Sequence, residues 1–478
     1  MSKVSEGLAY FGRFGVDDAL LRAGLERALS HGGDFAELYF EHRVVHDVGL
    51  EDGAVNRASL HVSLGVGVRV VKGDQTGYAF TEELTRDRIC DAAATAAVVA
   101  SGAARPGPTA FEVVGRPDRY PVKTDFAAVG IAEKMPILSR INGLAFGADP
   151  SVRKVSVSYV DSDGAMLLVD SDGRVVFDRQ PMARLAVSCT AERDGRRESN
   201  GHNLAAREGF EFFTPERIQR VAEESVRRTV FCFDAESAPA GEMPVVLAAG
   251  SAGILLHEAI GHGMEADFNR KGVSVYSDKL GKRIAGNDIT IVDDGTQPHM
   301  RGTINVDDEG YEGQRTVLVN DGILETYMHD RISAKHYGVA PTGNGRRQSF
   351  RDPPLPRMRN TYMMPGQVPP EDIIKSVKRG VYAETFTNGQ VMIGAGDFTF
   401  YIKTGYLIED GQLTRPIKDT NIIGNGPQCL ERTDMVGDDF RLDEGGWTCG
   451  KDGQSVPVSL GMPTVRVSAI TVGGVNRG

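Results

Sequence analysis

Residues 244–262 read Pro-Val-Val-Leu-Ala-Ala-Gly-Ser-Ala-Gly-Ile-Leu-Leu-His-Glu-Ala-Ile-Gly-His. The apolar run 244–249 has the length and texture of a buried strand. Gly250-Ser251 breaks it, and a helix is expected to follow through Leu255 and Leu256. That helix would pack against a sheet and carry His257, Glu258 and His262. Two imidazoles with a carboxylate beside the first are the minimal kit of a hydrolytic metal centre: two neutral nitrogen ligands and a base for water.

The spacing places a demand on the backbone. Histidines four apart on a regular helix lie ~40° apart around its axis; five apart, they diverge by ~140° and cannot share an ion. Here they are five apart. A π-bulge would add one residue to the turn and realign the rings. Alternatively, the helix ends at Gly261 and the chain changes direction before His262.

Upstream, residues 233–243 contain Pro239-Ala240-Gly241 and read as a linker, which divides the chain into 1–235 and 240–478. The first part mixes helices with an antiparallel sheet. Helical periodicity covers 16–31, 83–101, 128–146 and 215–230, the last with Thr214 as N-cap and Pro215 at its first position. Strand signals cover 35–50, 64–71 and 76–80. Short strands at 152–160, 165–169, 174–177 and 182–193 are punctuated by Asp163-Gly164, Asp172-Gly173 and Asp194-Gly195. Beyond the histidines β signals dominate. The segments 315–320 and 323–328 flank the hairpin turn Asp321-Gly322, and a meander over 390–416 turns at Asp410-Gly411. A strand at 464–472 follows. The expected class is α+β, an α/β amino-terminal domain followed by a mostly antiparallel, barrel-like carboxy-terminal domain.

The chain has 478 residues and a net charge of −11, which argues against non-specific nucleic-acid binding. No stretch is long and apolar enough to span a bilayer, and residues 1–15 lack the pattern of a secretory signal, so a cytoplasmic location is expected. Five cysteines without a CxxC pair do not form a disulfide framework and read mostly as buried thiols. Gly250 and Gly253 lack the Lys-Ser/Thr ending of a phosphate loop.

Two histidines do not hold zinc alone. Candidates for a third ligand are Glu265, Asp267, His299, Cys429 and Cys449. Cys449 lies in a glycine-flanked loop, 445–450, that can approach a distant helix without steric cost. The residues alone leave the choice open. Residues 341–359 carry Arg346, Arg347, Arg351, Arg357 and Arg359, either a salt-bridging segment or a loop gripping a peptide carboxylate through guanidinium pairs. Asp307-Asp308-Glu309 reads as an acidic turn, and His329 and His336 as ordinary polar positions.

The chain resembles the TldD/PmbA family, in its TldD-like, metal-bearing branch. The resemblance rests on LHEAIGHGMEAD (256–267), DDEG (307–310), PTGNGRR (341–347), CGKDGQ (449–454), VGG (472–474) and GVGVRV (65–70). It covers nearly the whole chain and shows no departure at the metal positions. It implies a zinc (Zn2+) peptidase acting on small or unfolded peptides, with ligands at His257, His262 and Cys449 and a catalytic glutamate at Glu258. It also implies a dimer, as a homodimer or with a PmbA-like subunit. The competing expectation is a regulatory or scaffold subunit whose metal is structural.

Overall fold

The structure, a computed structural model, describes residues 4–473; Gly474 of the VGG stretch lies outside them. Asp52 and Gly53 both take positive φ, 48° and 84°, and close a tight turn between Phe35–Glu51 and Ala54–Lys72. This hairpin opens a seven-stranded sheet. Its order is Gln75–Thr81, Ala54–Lys72, Phe35–Glu51, Val152–Asp170, Arg174–Arg193 and Glu112–Val113, with Arg196–Ala206 also pairing to Arg174–Arg193. Strand side chains alternate between faces. One face takes Leu38, Val68 and Leu167, covered by helices Asp18–Ala28 and Arg86–Ala97. Further along that face, Val157, Leu185 and Val187 pack under helices Ile131–Ala148 and Pro215–Asp234. Thr214 caps the last of these by accepting the Arg217 N–H at 3.3 Å.

Two long strands, Val152–Asp170 and Arg174–Arg193, stand where four short ones were expected. Asp163-Gly164 is no turn. The ladder runs through it on both sides, with Gly164 opposite Arg43 and Gln180, and Arg179 holds the Asp163 carboxylate. Asp194-Gly195 does turn, with φ of 52° and 77°.

The opposite face of the sheet carries Tyr39, Met166, Leu168 and Val176, which bury Val306 and Phe350 from the second half. A charged lock lies beside this contact. Arg69 pairs with Glu37 at 2.8 Å and with Glu309 at 2.6 Å, and Arg347 also pairs with Glu37. All four side chains are almost wholly buried. Burial opposes ionisation of Glu37, but Arg69 and Arg347 outweigh it and hold the carboxyl below its usual range.

In the second half, five strands close into a barrel. The order is Gln412–Asn425, Asp397–Glu409, Arg379–Met392, Gly241–Leu247 and Val465–Gly473, and the last pairs back to the first. Gly241–Leu247 runs parallel to Arg379–Met392 and antiparallel to Val465–Gly473. The meander strands are longer than the sequence suggested. Bulged pairing carries them past positions where the alternation falters. A six-stranded sheet lies alongside, in the order Ile323–Leu324, Arg315–Asn320, Ile291–Asp294, Asn360–Met363, Ser459–Met462 and Arg441–Leu442. The barrel and this sheet share one core, which includes Val245, Ile260, Phe400 and Leu460. No helix among the described residues is long and apolar enough to cross a membrane.

Candidate metal centre

The strand Gly241–Leu247 delivers the chain to Gly250, whose φ of +93° turns it into a short helix at Gly253–Leu256. The next five residues, His257–Gly261, form a π-helical turn, and His262–Met264 tightens into 3-10 geometry. Of the two distortions the spacing allowed, the fold uses the wider turn. Gly261 stays helical, with φ −58° and ψ −51°, and does not end the element. Its lack of a side chain serves packing instead, because a Cβ there would meet Met358 Sδ at 2.1 Å.

The wider turn brings the two rings to 5.2 Å between centroids. Cys449 arrives from the hairpin Thr448–Lys451/Gln454–Pro457, and its Sγ lies 3.4 Å from His262 Nε2. One potential ligand atom from each of His257, His262 and Cys449 lies within 4.8 Å of the others, and all three residues are buried. A shared tetrahedral zinc with bonds of about 2.0–2.3 Å implies sulfur–nitrogen separations of about 3.5 Å. His257 Nδ1 is buried without a hydrogen-bond partner. Two imidazoles and a thiol of this spacing, with an unsatisfied buried polar atom among them, fit a zinc ion. Burial by itself disfavours the Cys449 thiolate, but His257 and His262 outweigh it and hold the thiol well below its usual range. The thiolate is the form a metal takes.

Glu258 follows His257 on the same turn. Its Oε2 lies 3.8 Å from His262 Nε2, and its side chain is 20% exposed while that of His262 is 6% exposed. Solvent therefore reaches the carboxylate beside the cluster.

The structure separates the other third-ligand candidates from this group. Glu265 Oε2 meets the far ring nitrogen, His262 Nδ1, at 3.0 Å, leaving Nε2 toward Cys449. Burial opposes protonation of His262, yet Glu265 and Cys449 raise its pKa well above the usual imidazole value. Lys451 Nζ holds Glu265 at 3.1 Å and Asp267 at 2.7 Å. Burial works against the Glu265 carboxylate, but Lys451 and His262 bring it down to about 2. His299 Nδ1 contacts the Arg207 carbonyl at 3.1 Å, and Cys429 is a buried thiol of the core. Sequence reasoning did not single out Lys451. The available signal was the i, i+2 spacing of Cys449 and Lys451, which puts both on one face of a strand.

Arg346 donates to the carbonyls of Met358 at 2.6 Å and Pro457 at 2.7 Å. Arg347 donates to Glu37 and to the Asp308 carbonyl, and its guanidinium lies 4.2 Å over the Tyr39 ring. Asp307 of the acidic turn accepts the backbone N–H groups of Glu309, Tyr311 and Gly345.

A barrel-bearing α+β fold with a buried His/His/Cys cluster beside a part-exposed glutamate defines a class, that of proteins able to hold a metal next to a base. Comparison with known proteins narrows it. Residues 36–100 match PmbA/TldA metallopeptidase domain 1, 124–230 the central domain and 240–474 the C-terminal domain. A metalloprotease TldD homologue of Haemophilus influenzae is 41% identical over 451 residues, 93% of each chain. A zinc metalloprotease TldD homologue of Saccharolobus solfataricus is 28% identical over 94% of this chain and 99% of its own. The crystal structure of TldE from Thermococcus kodakarensis superposes with a TM-score of 0.73 at 17% identity, covering 96% of this chain and 99% of that one. The chain belongs to the PmbA/TldD metallopeptidase family.

Proposed function

We propose that this chain is a zinc-dependent peptidase of small or unfolded peptides, with His257, His262 and Cys449 as ligands and Glu258 as general base. The observation that carries this reading is Glu258, a part-exposed carboxylate beside an otherwise buried ligand cluster. A closed structural metal site has no use for such a group. The names of the relatives as metalloproteases support the same reading.

A zinc ion held there would supply Lewis acidity and acidify a water molecule. Glu258 takes the proton of the attacking water and returns it to the departing amine. Glu265 fixes His262 by its Nδ1, as a carboxylate commonly does behind a metal-ligating imidazole. On the substrate side, Arg346 and Arg347 serve the anionic end of a peptide. Arg346, free of any carboxylate partner among the described residues, is the better placed; Arg347 already holds Glu37. Assembly with a second copy or with a PmbA-like subunit, and a cytoplasmic location, complete the reading, as does the division into units at 1–235 and 240–478.

The Glu258→Gln variant is expected to keep one zinc per chain by elemental analysis and to lose peptide hydrolysis by at least 100-fold. Cys449→Ala is expected to lose the zinc itself. Wild-type hydrolysis by Glu258→Gln would overturn Glu258 as the base, whereas a zinc-loaded wild-type chain that cleaves no peptide, alone or with a PmbA-like subunit, would favour the scaffold reading with a structural metal.

A further inference from the structure

Between the sheet of the first half and the loops of the second lies a cavity of about 740 Å3. Four arginines reach it from four separate stretches: Arg184, Arg207, Arg301 and Arg346. None of them forms a direct ion pair among the described residues, whereas their neighbours Arg43, Arg347 and Arg351 pair with Glu41, Glu37 and Glu82. Arg207 is 3% exposed, and its Nε has no hydrogen-bond partner; neither has Arg184 Nε. The lining acids are engaged within the protein, although among the described residues Glu41 Oε2 has no hydrogen-bond partner and Asp352 accepts only the Ser349 hydroxyl. Glu41 faces Arg43, Asp308 accepts from the Tyr39 hydroxyl and the Arg347 backbone, and Asp307 accepts backbone N–H groups.

Buried guanidinium groups without counter-charges oppose folding through desolvation and mutual repulsion. The consequence is visible in the cations themselves. Burial lowers Arg301 to about 9, with Arg184, Arg207 and Arg346 adding to the effect. Burial lowers Arg346 to about 9 as well, with Arg207 as the next cause. The carbonyl contacts of Arg346 and the contacts of Arg301 with Trp447 O and Thr448 Oγ1 fix these two side chains in place. Such a set, two of its members fixed and none ion-paired among the described residues, matches closely spaced anionic oxygens, which guanidinium groups bind in pairs. The apolar wall, with Val45, Val160 and Met182, accepts a compact organic body. The hairpin bearing Cys449 forms part of the boundary through Thr448, Ser455 and Pro457. In that strand Thr448 and Cys449 point to opposite faces, so the cavity lies across the hairpin from the ligand thiol.

We infer that Arg184, Arg207, Arg301 and Arg346 form a binding site for a small multivalent anion, carried as carboxylates on an acidic peptide or as phosphate. The site extends the substrate reading of Arg346 and needs neither Glu258 nor the metal. Isothermal titration of the zinc-loaded full chain at fixed ionic strength in chloride tests it, with inorganic phosphate and a free-carboxylate triglutamate peptide as probes. Saturable 1:1 binding of at least one probe is expected, weakened at least tenfold by the double variant Arg184→Gln/Arg207→Gln. That variant is expected to melt no lower than the parent without anion, since it removes repulsion. Tighter phosphate binding assigns a phosphate ligand; tighter triglutamate binding, lost with a triglutamine peptide, assigns the carboxylates of an acidic peptide. Absence of saturable binding of either probe, or unchanged affinity in the double variant, overturns the inference. Running both probes on Glu258→Gln separates this result from the peptidase reading, because anion binding is expected to survive there whether or not hydrolysis does.

Discussion

Two groups of buried arginines lie close together and are treated in opposite ways. Arg69 is held between Glu37 and Glu309, and Arg347 pairs with Glu37, so each half contributes one carboxylate and one cation. Arg184, Arg207, Arg301 and Arg346 face a cavity with no such partners. The first group is neutralised by ion pairs within the protein and joins the halves. The second, on the inference drawn above, is neutralised by a bound anion. A related contrast separates the His/His/Cys cluster, where His257 Nδ1 is unsatisfied, from the chain behind it, where Lys451 pairs with both Glu265 and Asp267 although Glu265 Oε1 has no hydrogen-bond partner. Buried polarity that closes on itself maintains a fold, and buried polarity left open marks a place of use.

The sharpest way to break the comparison is to open the lock. Glu37→Ala leaves buried Arg347 without a carboxylate partner and Arg69 with Glu309 alone, and is expected to cost about 3–5 kcal/mol of stability, read by urea denaturation. An equal loss from Arg207→Gln would erase the distinction between the groups. Next in size, Glu265→Gln withdraws the charge behind His262 and is expected to weaken zinc binding about 10–100-fold in a competition with a chelator, with the fold intact by circular dichroism. Smallest is Arg207→Gln itself. With no ion pair to lose and repulsion to relieve, it is expected to shift stability by less than about 1 kcal/mol, in the stabilising direction.

Local features were legible in the sequence, and features assembled from distant stretches were not. The strand leading into the histidine helix, the Thr214 cap and the turns at Asp321-Gly322 and Asp410-Gly411 follow from side-chain chemistry within a few residues. The histidine spacing even announced a distorted helix, though not which distortion. Nor did it show that Gly261 gives room to Met358, which packs on it from about a hundred positions away. Asp163-Gly164 carries the same two letters as a true turn, and only pairing on both flanks keeps it extended. Glu265 was legible as an acid near His262 but not as the partner of its outer nitrogen, which depends on a ring orientation set by Cys449. The arginine cavity left no trace in any one stretch, because its four cations are contributed by two strands and two loops.

The distance along the chain between His262 and Cys449 has a consequence for biosynthesis. The sulfur follows the imidazole by 187 residues. At about 5–20 residues per second, a ribosome needs on the order of 10–40 s to supply it. The strand that closes the barrel, Val465–Gly473, emerges later still. For that interval the nascent polypeptide carries the two histidines without the thiol, so the His/His/Cys cluster cannot assemble until Cys449 has been made.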